Sequence, residues 1–324
     1  MINVLLTGAT GFVGHALAKS ICALQNLRLA VALRTPTNKF ETVHQYVLDD
    51  LTATTDWAFA VAGQQVVIHA AARVHVINES KSHPHTAFQV VNVDGTLNLA
   101  RQAAIAGVKR FVFISSVKVN GESTSSGKAF TELDAPNPQD AYGQSKHEAE
   151  QALRQLSADT GMEVVIIRPP LVYGPGVKAN FAALMSAVQR GWSLPLGAVH
   201  NQRSLVALSN LVDFIVTCLT HPAAANQTFL VSDGEDLSTP DLIRRLARAM
   251  NRPARLLPVP VWALQAVALL LGKGDAVQRL CGNLQVGISK SRTLLGWNPP
   301  VSVDEGLRRA VGGHRSCGTR SRAD

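Results

Sequence analysis

The chain has 324 residues, of which 46% are hydrophobic and 17% charged, the make-up of an ordinary soluble globular protein long enough for about two domains. Met1 stands one residue before the first apolar run, which leaves no room for a signal peptide, and Cys22, Cys218, Cys281 and Cys317 are scattered without a C-x-x-C pair, so a cytoplasmic protein with reduced thiols and no zinc site is expected. A formal net charge of +8 raises nucleic acid as a partner.

Ile2 to Leu6 reads as a buried first strand. It runs into Thr7-Gly8-Ala9-Thr10-Gly11-Phe12-Val13-Gly14, and then into a helical pattern with Val13, Ala16, Leu17, Ile21 and Leu24 on one face. A strand, closely spaced glycines and a helix N-terminus suit a pyrophosphate, because first-turn N–H groups are unpaired and glycine lets phosphate approach. The spacing is G-x-x-G-x-x-G, and it predicts a dinucleotide held by Gly8, Thr10, Gly11, Phe12, Val13 and Gly14. Leu29 to Leu33 forms a second strand ending at Arg34, 20 residues after Gly14, with no acid between Gly14 and Glu41. An arginine there suits a ribose 2′-phosphate and favours NADP over NAD. Tyr46 to Leu48 forms a third strand, followed by Asp50 and Leu51, which are placed to meet the adenine.

Val66 to His69, Phe111 to Ser115 and Val164 to Arg168 read as strands four to six. Helices are expected around 87–106 and from Ala141 to about Thr160. The alternation predicts an α/β fold, a doubly wound parallel sheet over residues 1–170. After Arg168 the prolines and glycines of Pro169-Pro170, Tyr173-Gly174-Pro175-Gly176 and Pro195 mark loops and short elements. These would build a smaller C-terminal α/β domain over 171–311, with a segment near 203–231, ending in strand Gln227 to Val231, returning to the main sheet. Arg244, Arg245, Arg248, Arg252 and Arg255 cluster, and Leu242, Ile243, Leu246, Ala247 and Met250 form the opposite face of the same helix, with Thr239 as N-cap and Pro240 at the first position. That is a solvated helix face without interleaved aromatic residues, so nucleic acid is not expected. The longest apolar run, Val261 to Leu271, is broken by Gln265 and falls short of the roughly 20 residues that cross a bilayer, so a buried helix is expected, with packing of Val259 to Leu271 on a membrane-bound glycosyltransferase as the alternative. Residues 312–324 read as a disordered tail.

Tyr142 and Lys146, at i and i+4 of one helix, share a face. A free tyrosine has a pKa of about 10, and a nearby ammonium lowers it toward the working range. Ser116, at the end of the fifth strand, can hydrogen-bond the same substrate oxygen. The three residues suit moving a proton on or off an alcohol or carbonyl oxygen while hydride passes to or from a cofactor.

With T-G-A-T-G-F-V-G, His69-Ala70-Ala71-Ala72, Asn92-Val93-Asp94-Gly95-Thr96, Ser115-Ser116, Tyr142/Lys146, Arg168-Pro169-Pro170 through Tyr173-Gly174-Pro175, and Leu295-Gly296-Trp297, the chain resembles an extended short-chain dehydrogenase/reductase of the nucleotide-sugar epimerase/dehydratase superfamily, from residue 1 to about Val311. The resemblance implies a Rossmann domain with a C-terminal nucleotide-sugar domain, and a UDP-sugar as the small-molecule substrate. It also implies a homodimer through the helices near 87–106 and 141–160. Ala70, Ala71, Ala72, Asn92, Tyr142, Lys146 and Pro169 would join the cofactor site. Arg73, His75, Ser116, Lys118, Asn120, Asn180 and Arg203 would face the sugar nucleotide, Arg203 on its diphosphate. His69, His75, His83 and His85 have no regular ligand spacing, and the family needs no metal.

Two departures narrow the activity. The acidic pair that follows the serine in 4,6-dehydratases is Val117 and Lys118 here, which argues against dehydration. The usual Val-Tyr-Gly is Val119-Asn120-Gly121, and Leu171 stands where an asparagine is usual, which puts a plain UDP-galactose 4-epimerase in question. The wording of Ala72 to Val76 and Arg168 to Val177 looks most like a subgroup working in O-antigen synthesis that includes 4-ketoreductases forming UDP-N-acetylquinovosamine. The expectation is an NAD(P)H-dependent reduction at C4 of a UDP-4-keto-6-deoxy-N-acetylhexosamine. The alternative is a UDP-hexose 4-epimerase with retained NAD; more remote is a non-catalytic NAD(P)-sensing protein.

Overall fold

The computed structural model describes residues 1–74, 84–270, 272 and 274–318. Its main sheet has seven parallel strands in the order β3-β2-β1-β4-β5-β6-β9. These are β1 (Ile2–Thr7), β2 (Leu27–Leu33), β3 (His44–Val47), β4 (Val66–His69), β5 (Arg110–Ile114), β6 (Glu163–Arg168) and β9 (Thr228–Leu230). The chain reverses direction across the sheet between β1 and β4, and in open α/β sheets ligands bind outside the strand C-termini at such a point. The central strands are buried on both faces, which is why they read as unbroken apolar runs. One face packs helices Phe12–Cys22 and Leu208–Thr220 through Leu17, Ile21, Leu211 and Phe214; the other packs Thr96–Ile105 and Ala141–Thr160 through Leu99, Ala103, Ala149 and Leu153.

A second sheet, β10-β8-β7, joins β7 (Leu171–Tyr173) to β8 (Arg203–Ala207) in parallel and β8 to β10 (Asp236–Leu237) antiparallel. With helices Ala179–Gln189, Thr239–Ala249 and Val303–Gly318 it encloses a separate core around Tyr173, Met185, Leu246 and Leu307. No helix among the described residues is long and apolar enough to cross a membrane.

Four local expectations are corrected. The helix expected over 87–106 is broken into Pro84–Phe88, a π-wound Gln89–Gly95 and Thr96–Ile105. There Gly95 lies so close to the Leu51 carbonyl that a Cβ would come within 2.8 Å of it. Ser238, not Thr239, caps the arginine-bearing helix, its Oγ accepting from the Asp241 N–H at 3.1 Å, while the Thr239 N–H donates to Asn201 Oδ1 at 2.8 Å. The run 261–270 is a helix, but only Ala268 in it is buried. The last helix continues through 312–318 as an extension of the packed turns holding Val303, Leu307 and Ala310, since each added residue gains a backbone hydrogen bond. Residues 319–324 lie outside the described set.

Candidate active site

The glycine loop closes tightly. Gly8 has φ +74°, and a Cβ on Gly14 would sit 2.1 Å from the Gly8 carbonyl oxygen, so the first helix turn lies directly on the strand end. Gly11 is the N-cap of helix Phe12–Cys22, and no side chain caps it, so the first-turn amides are left for a ligand. In front of the loop opens a cleft of about 510 Å3 lined by Thr7, Gly8, Thr10 and Gly11, by Leu33 and Arg34 after β2, by Leu48, Asp50 and Leu51 after β3, and by Ala70 to Val74 after β4. Of the residues expected at a cofactor, Gly8, Thr10, Gly11, Arg34, Asp50, Leu51, Ala70, Ala71 and Ala72 line it. Phe12 and Val13 pack into the core behind, and Gly14 supports Gly8. Trp57 also lines the cleft and was not foreseen; it is buried, and its indole N–H has no partner among the described residues. A cleft with open first-turn amides, a glycine cradle and an unsatisfied donor fits a dinucleotide.

A hydrogen-bond chain fixes the wall of this cleft. Thr96 Oγ1 donates to the Asn92 carbonyl at 2.8 Å, so it can only accept from His69 Nε2 at 3.0 Å. His69 Nδ1 is then the acceptor for the Thr7 hydroxyl at 2.7 Å, and Thr7 Oγ1 accepts from the Ala71 N–H at 3.3 Å. Burial, with Lys146 adding to it, lowers the His69 pKa to about 3, so the ring is neutral. Asn92 is buried and does not line the cleft: its amide grips both the N–H and the carbonyl of Arg73, at 2.8 and 3.1 Å, and reaches Ser145 Oγ at 3.0 Å. It therefore ties the β4 loop to the helix that carries Tyr142 and Lys146.

That helix, Ala141–Thr160, is capped by Asp140, whose Oδ1 accepts from the Gly143 N–H at 2.7 Å. Tyr142, Lys146 and Glu150 follow at one-turn intervals. Lys146 is buried, donates to the Ile114 carbonyl at 2.9 Å, and holds its Nζ 4.4 Å from the Phe113 ring centre and 6.0 Å from that of Tyr142. Desolvation lowers its pKa to about 7, against the pull of Glu150, which raises it. Tyr142 is pushed up to about 12 by burial and by the Asp140 charge. Ser116, half-buried at the end of β5, accepts from the Lys118 N–H at 3.2 Å. Beneath them Glu150 accepts from Ser115 Oγ at 2.6 Å and from the Nε and Nη2 edge of Arg168.

The remaining sequence candidates fare unevenly. Asn120, expected at the substrate, is buried, its Oδ1 accepting from Arg168 at 2.9 Å and its Nδ2 donating to the Thr131 carbonyl at 2.9 Å. Lys118 is held between Glu122 at 2.7 Å and Asp140 at 2.5 Å. Arg203 opens β8 and donates Nη1 to the Gly282 carbonyl at 3.0 Å. Asn180 is exposed at the start of Ala179–Gln189, and the Pro169 carbonyl accepts from the Val117 N–H at 3.0 Å. His75 lies outside the described residues. Among the described residues no cluster of metal-ligating side chains forms.

Residues 4–232 match the sequence model of the NAD dependent epimerase/dehydratase family. The chain is 50% identical over 310 residues to a UDP-glucose 4-epimerase of Vibrio cholerae, covering 95% of this chain and 94% of that one. Its fold is similar to a UDP-glucuronic acid 4-epimerase of Bacillus cereus in complex with NAD, at TM-score 0.77 and 20% identity over 98% of this chain and 99% of that one. It is equally similar to a UDP-glucose 4-epimerase of Thermotoga maritima with UDP-glucose, at TM-score 0.76 and 22% identity over 98% and 99% of the two chains.

Proposed function

The chain belongs to the NAD dependent epimerase/dehydratase family, and we propose that it inverts C4 of a UDP-hexose, UDP-glucose and UDP-galactose first, using NAD retained in the cleft. The observation that carries this reading is the half-identical Vibrio cholerae UDP-glucose 4-epimerase, matched along nearly the whole chain. The reading replaces the 4-keto sugar reductase expected from sequence, which has no comparable support.

A nicotinamide dinucleotide held in the cleft would supply a reversible hydride acceptor. Tyr142, as phenolate, takes the C4 hydroxyl proton as hydride leaves C4, and returns it to the C4 oxygen when the turned 4-ketone takes the hydride back on its other face. Ser116 holds the same oxygen through its hydroxyl. Lys146, one turn from Tyr142, stabilises the phenolate when protonated, and its pKa of about 7 keeps it responsive to any positive charge brought into the site. The cradle of Gly8, Thr10, Gly11 and the first helix turn holds the pyrophosphate, with Arg34, Asp50 and Leu51 around the adenosine. Arg203 and Asn180 stand as candidates for the nucleotide diphosphate.

Incubation of the purified chain with UDP-glucose and no added cofactor tests the reading. UDP-galactose should accumulate to a constant ratio while denatured protein releases about one NAD per chain. Consumption of added NADPH with a 4-keto sugar, without hexose interconversion, overturns it in favour of the reductase.

A further inference from the structure

Helix Val261–Leu270 packs half-buried Val261 and Leu264 against the smaller core, and its Ala268 is buried. Its other face is also apolar. Trp262, Ala266, Leu269 and Leu270 fall at i, i+4, i+7 and i+8, and Trp262 is 72%, Leu269 80% and Leu270 87% exposed. A helix apolar on two faces needs a second apolar neighbour, and no described residue supplies one.

The surroundings indicate what that neighbour is. A second tryptophan, Trp192, is 56% exposed, with the Arg190 guanidinium 5.4 Å from its ring centre. Its segment is joined to the one that precedes the helix: the Leu194 N–H donates to the Arg255 carbonyl at 2.9 Å, the Leu257 N–H to the Leu194 carbonyl at 2.8 Å, and Arg255 Nη1 to the Gly191 carbonyl at 3.3 Å. Leu257 is exposed, and Trp262 follows five residues later. Arg190, Arg252 and Arg255 are exposed and pair with no carboxylate among the described residues. The stretches that build this face carry no acid at all: no Asp or Glu lies between Glu163 and Asp213, nor between Asp241 and Asp275.

We propose that this face docks on an anionic phospholipid bilayer, the helix lying in the plane of the headgroups without crossing them. Exposed leucines enter the acyl boundary, tryptophans sit at headgroup level, and arginines meet the lipid phosphates. A second copy of the chain is a poorer occupant, because a two-fold contact would bring the same unpaired arginines face to face.

The test floats the full chain on a density gradient with vesicles of phosphatidylcholine alone or mixed with phosphatidylglycerol. The protein should float with the anionic vesicles only and stay behind at high salt. Arg252→Gln and Arg255→Gln should each weaken partition roughly fivefold, as expected for removal of one basic residue at an anionic surface. A Leu269→Glu/Leu270→Glu variant should lose flotation while keeping the wild-type melting temperature. No flotation with anionic vesicles at low salt, or unchanged flotation of the double variant, overturns the proposal. So does sedimentation velocity showing a wild-type dimer that the double variant splits, since the face is then covered by a second copy.

Discussion

Glu150 accepts from the Nε and Nη2 edge of the Arg168 guanidinium, at 2.9 Å and 2.5 Å, with both side chains shut away from solvent. The pair bolts β6 to the helix that presents Tyr142 and Lys146, two turns and one turn before Glu150. Breaking a buried pair by removing one charge costs roughly 3–5 kcal/mol, because the other charge stays buried. Glu150→Gln should therefore lower stability by about that amount in chemical denaturation. The Glu150 charge also holds the Lys146 pKa up. In any fraction that folds, the alkaline limb of the activity profile should move to lower pH, because the ammonium is lost sooner as pH rises. An unchanged limb would mean that Glu150 acts on the fold alone.

His69 links protonation to the wall of the cofactor cleft. Its folded pKa of about 3 lies below the ordinary value of 6.5, so its contribution to stability is complete above 6.5 and is lost as pH falls toward 3. One proton taken up on unfolding gives a slope of about 1.4 kcal/mol per pH unit across that window. His69→Asn should be less stable than wild type at pH about 8 but show a shallower loss between about 6 and 4. Parallel stability curves for the two proteins would rule out His69 as a source of acid sensitivity.

What the sequence disclosed follows from how far apart the partners stand. The Thr7–Gly14 loop and the Tyr142/Lys146 pair are short-range patterns set by glycine sterics and helix periodicity, so they are legible before any coordinates. The parallel strands are legible too, because strands buried on both faces read as apolar runs. Glu150–Arg168 is invisible from spacing, since 18 residues and a helix-on-strand contact bring the two together. Asn120 stands at a position where the family usually has tyrosine, and nothing in its spacing from Arg168 announced that its amide oxygen would accept from that guanidinium. Trp57 reaches the cleft from a loop with no motif. The apolar run at 261–270 misled because composition does not tell a core helix from an exposed one.

Gly14 measures how tightly the loop is built. A methyl there would sit 2.1 Å from the Gly8 oxygen and 2.7 Å from the Gly8 carbonyl carbon, both backbone atoms that cannot swing away. Gly14→Ala should cost at least roughly 1–3 kcal/mol, typical of overpacking, and should strip the retained dinucleotide. Cofactor released per chain on denaturation, compared with the melting temperature, checks both. A variant that keeps full cofactor content would show that the strand end and the helix can separate without cost to binding.

Asp140 is the nearest lever on the tyrosine. Its charge, after burial, helps push Tyr142 up to about 12, and its Oδ1 caps the helix. Asp140→Asn keeps an acceptor for the Gly143 N–H, because asparagine caps as well as aspartate. It removes the negative charge that opposes a phenolate, so the Tyr142 pKa should fall and the acid limb of kcat/KM should move to lower pH. Tyr142→Phe, by contrast, should lose roughly 100- to 10,000-fold in turnover at every pH, with cofactor still bound, the range a positioned proton-transfer group contributes. An Asp140→Asn profile shifted the opposite way would mean that the limb reports another group, with Lys118, freed of this carboxylate, the first to examine.

Arg34 decides between the two dinucleotides. It is exposed at the end of β2 and lines the cleft beside Leu33 and Asp50. A 2′-phosphate there would gain a charge-assisted contact, whereas a plain ribose hydroxyl would gain little from a guanidinium. If the retained cofactor is NAD, Arg34→Ala should leave cofactor content and hexose interconversion within about twofold of wild type, yet weaken binding of added NADP to stripped protein by roughly tenfold or more, as loss of a hydrogen bond to a charged group of about 1.5–3 kcal/mol implies. Mass analysis of the dinucleotide released by denatured protein, paired with titration of the stripped protein by both cofactors, gives the answer. NADP as the released species, with content falling in the variant, would assign Arg34 to the 2′-phosphate and move the site toward the cofactor-consuming reductase.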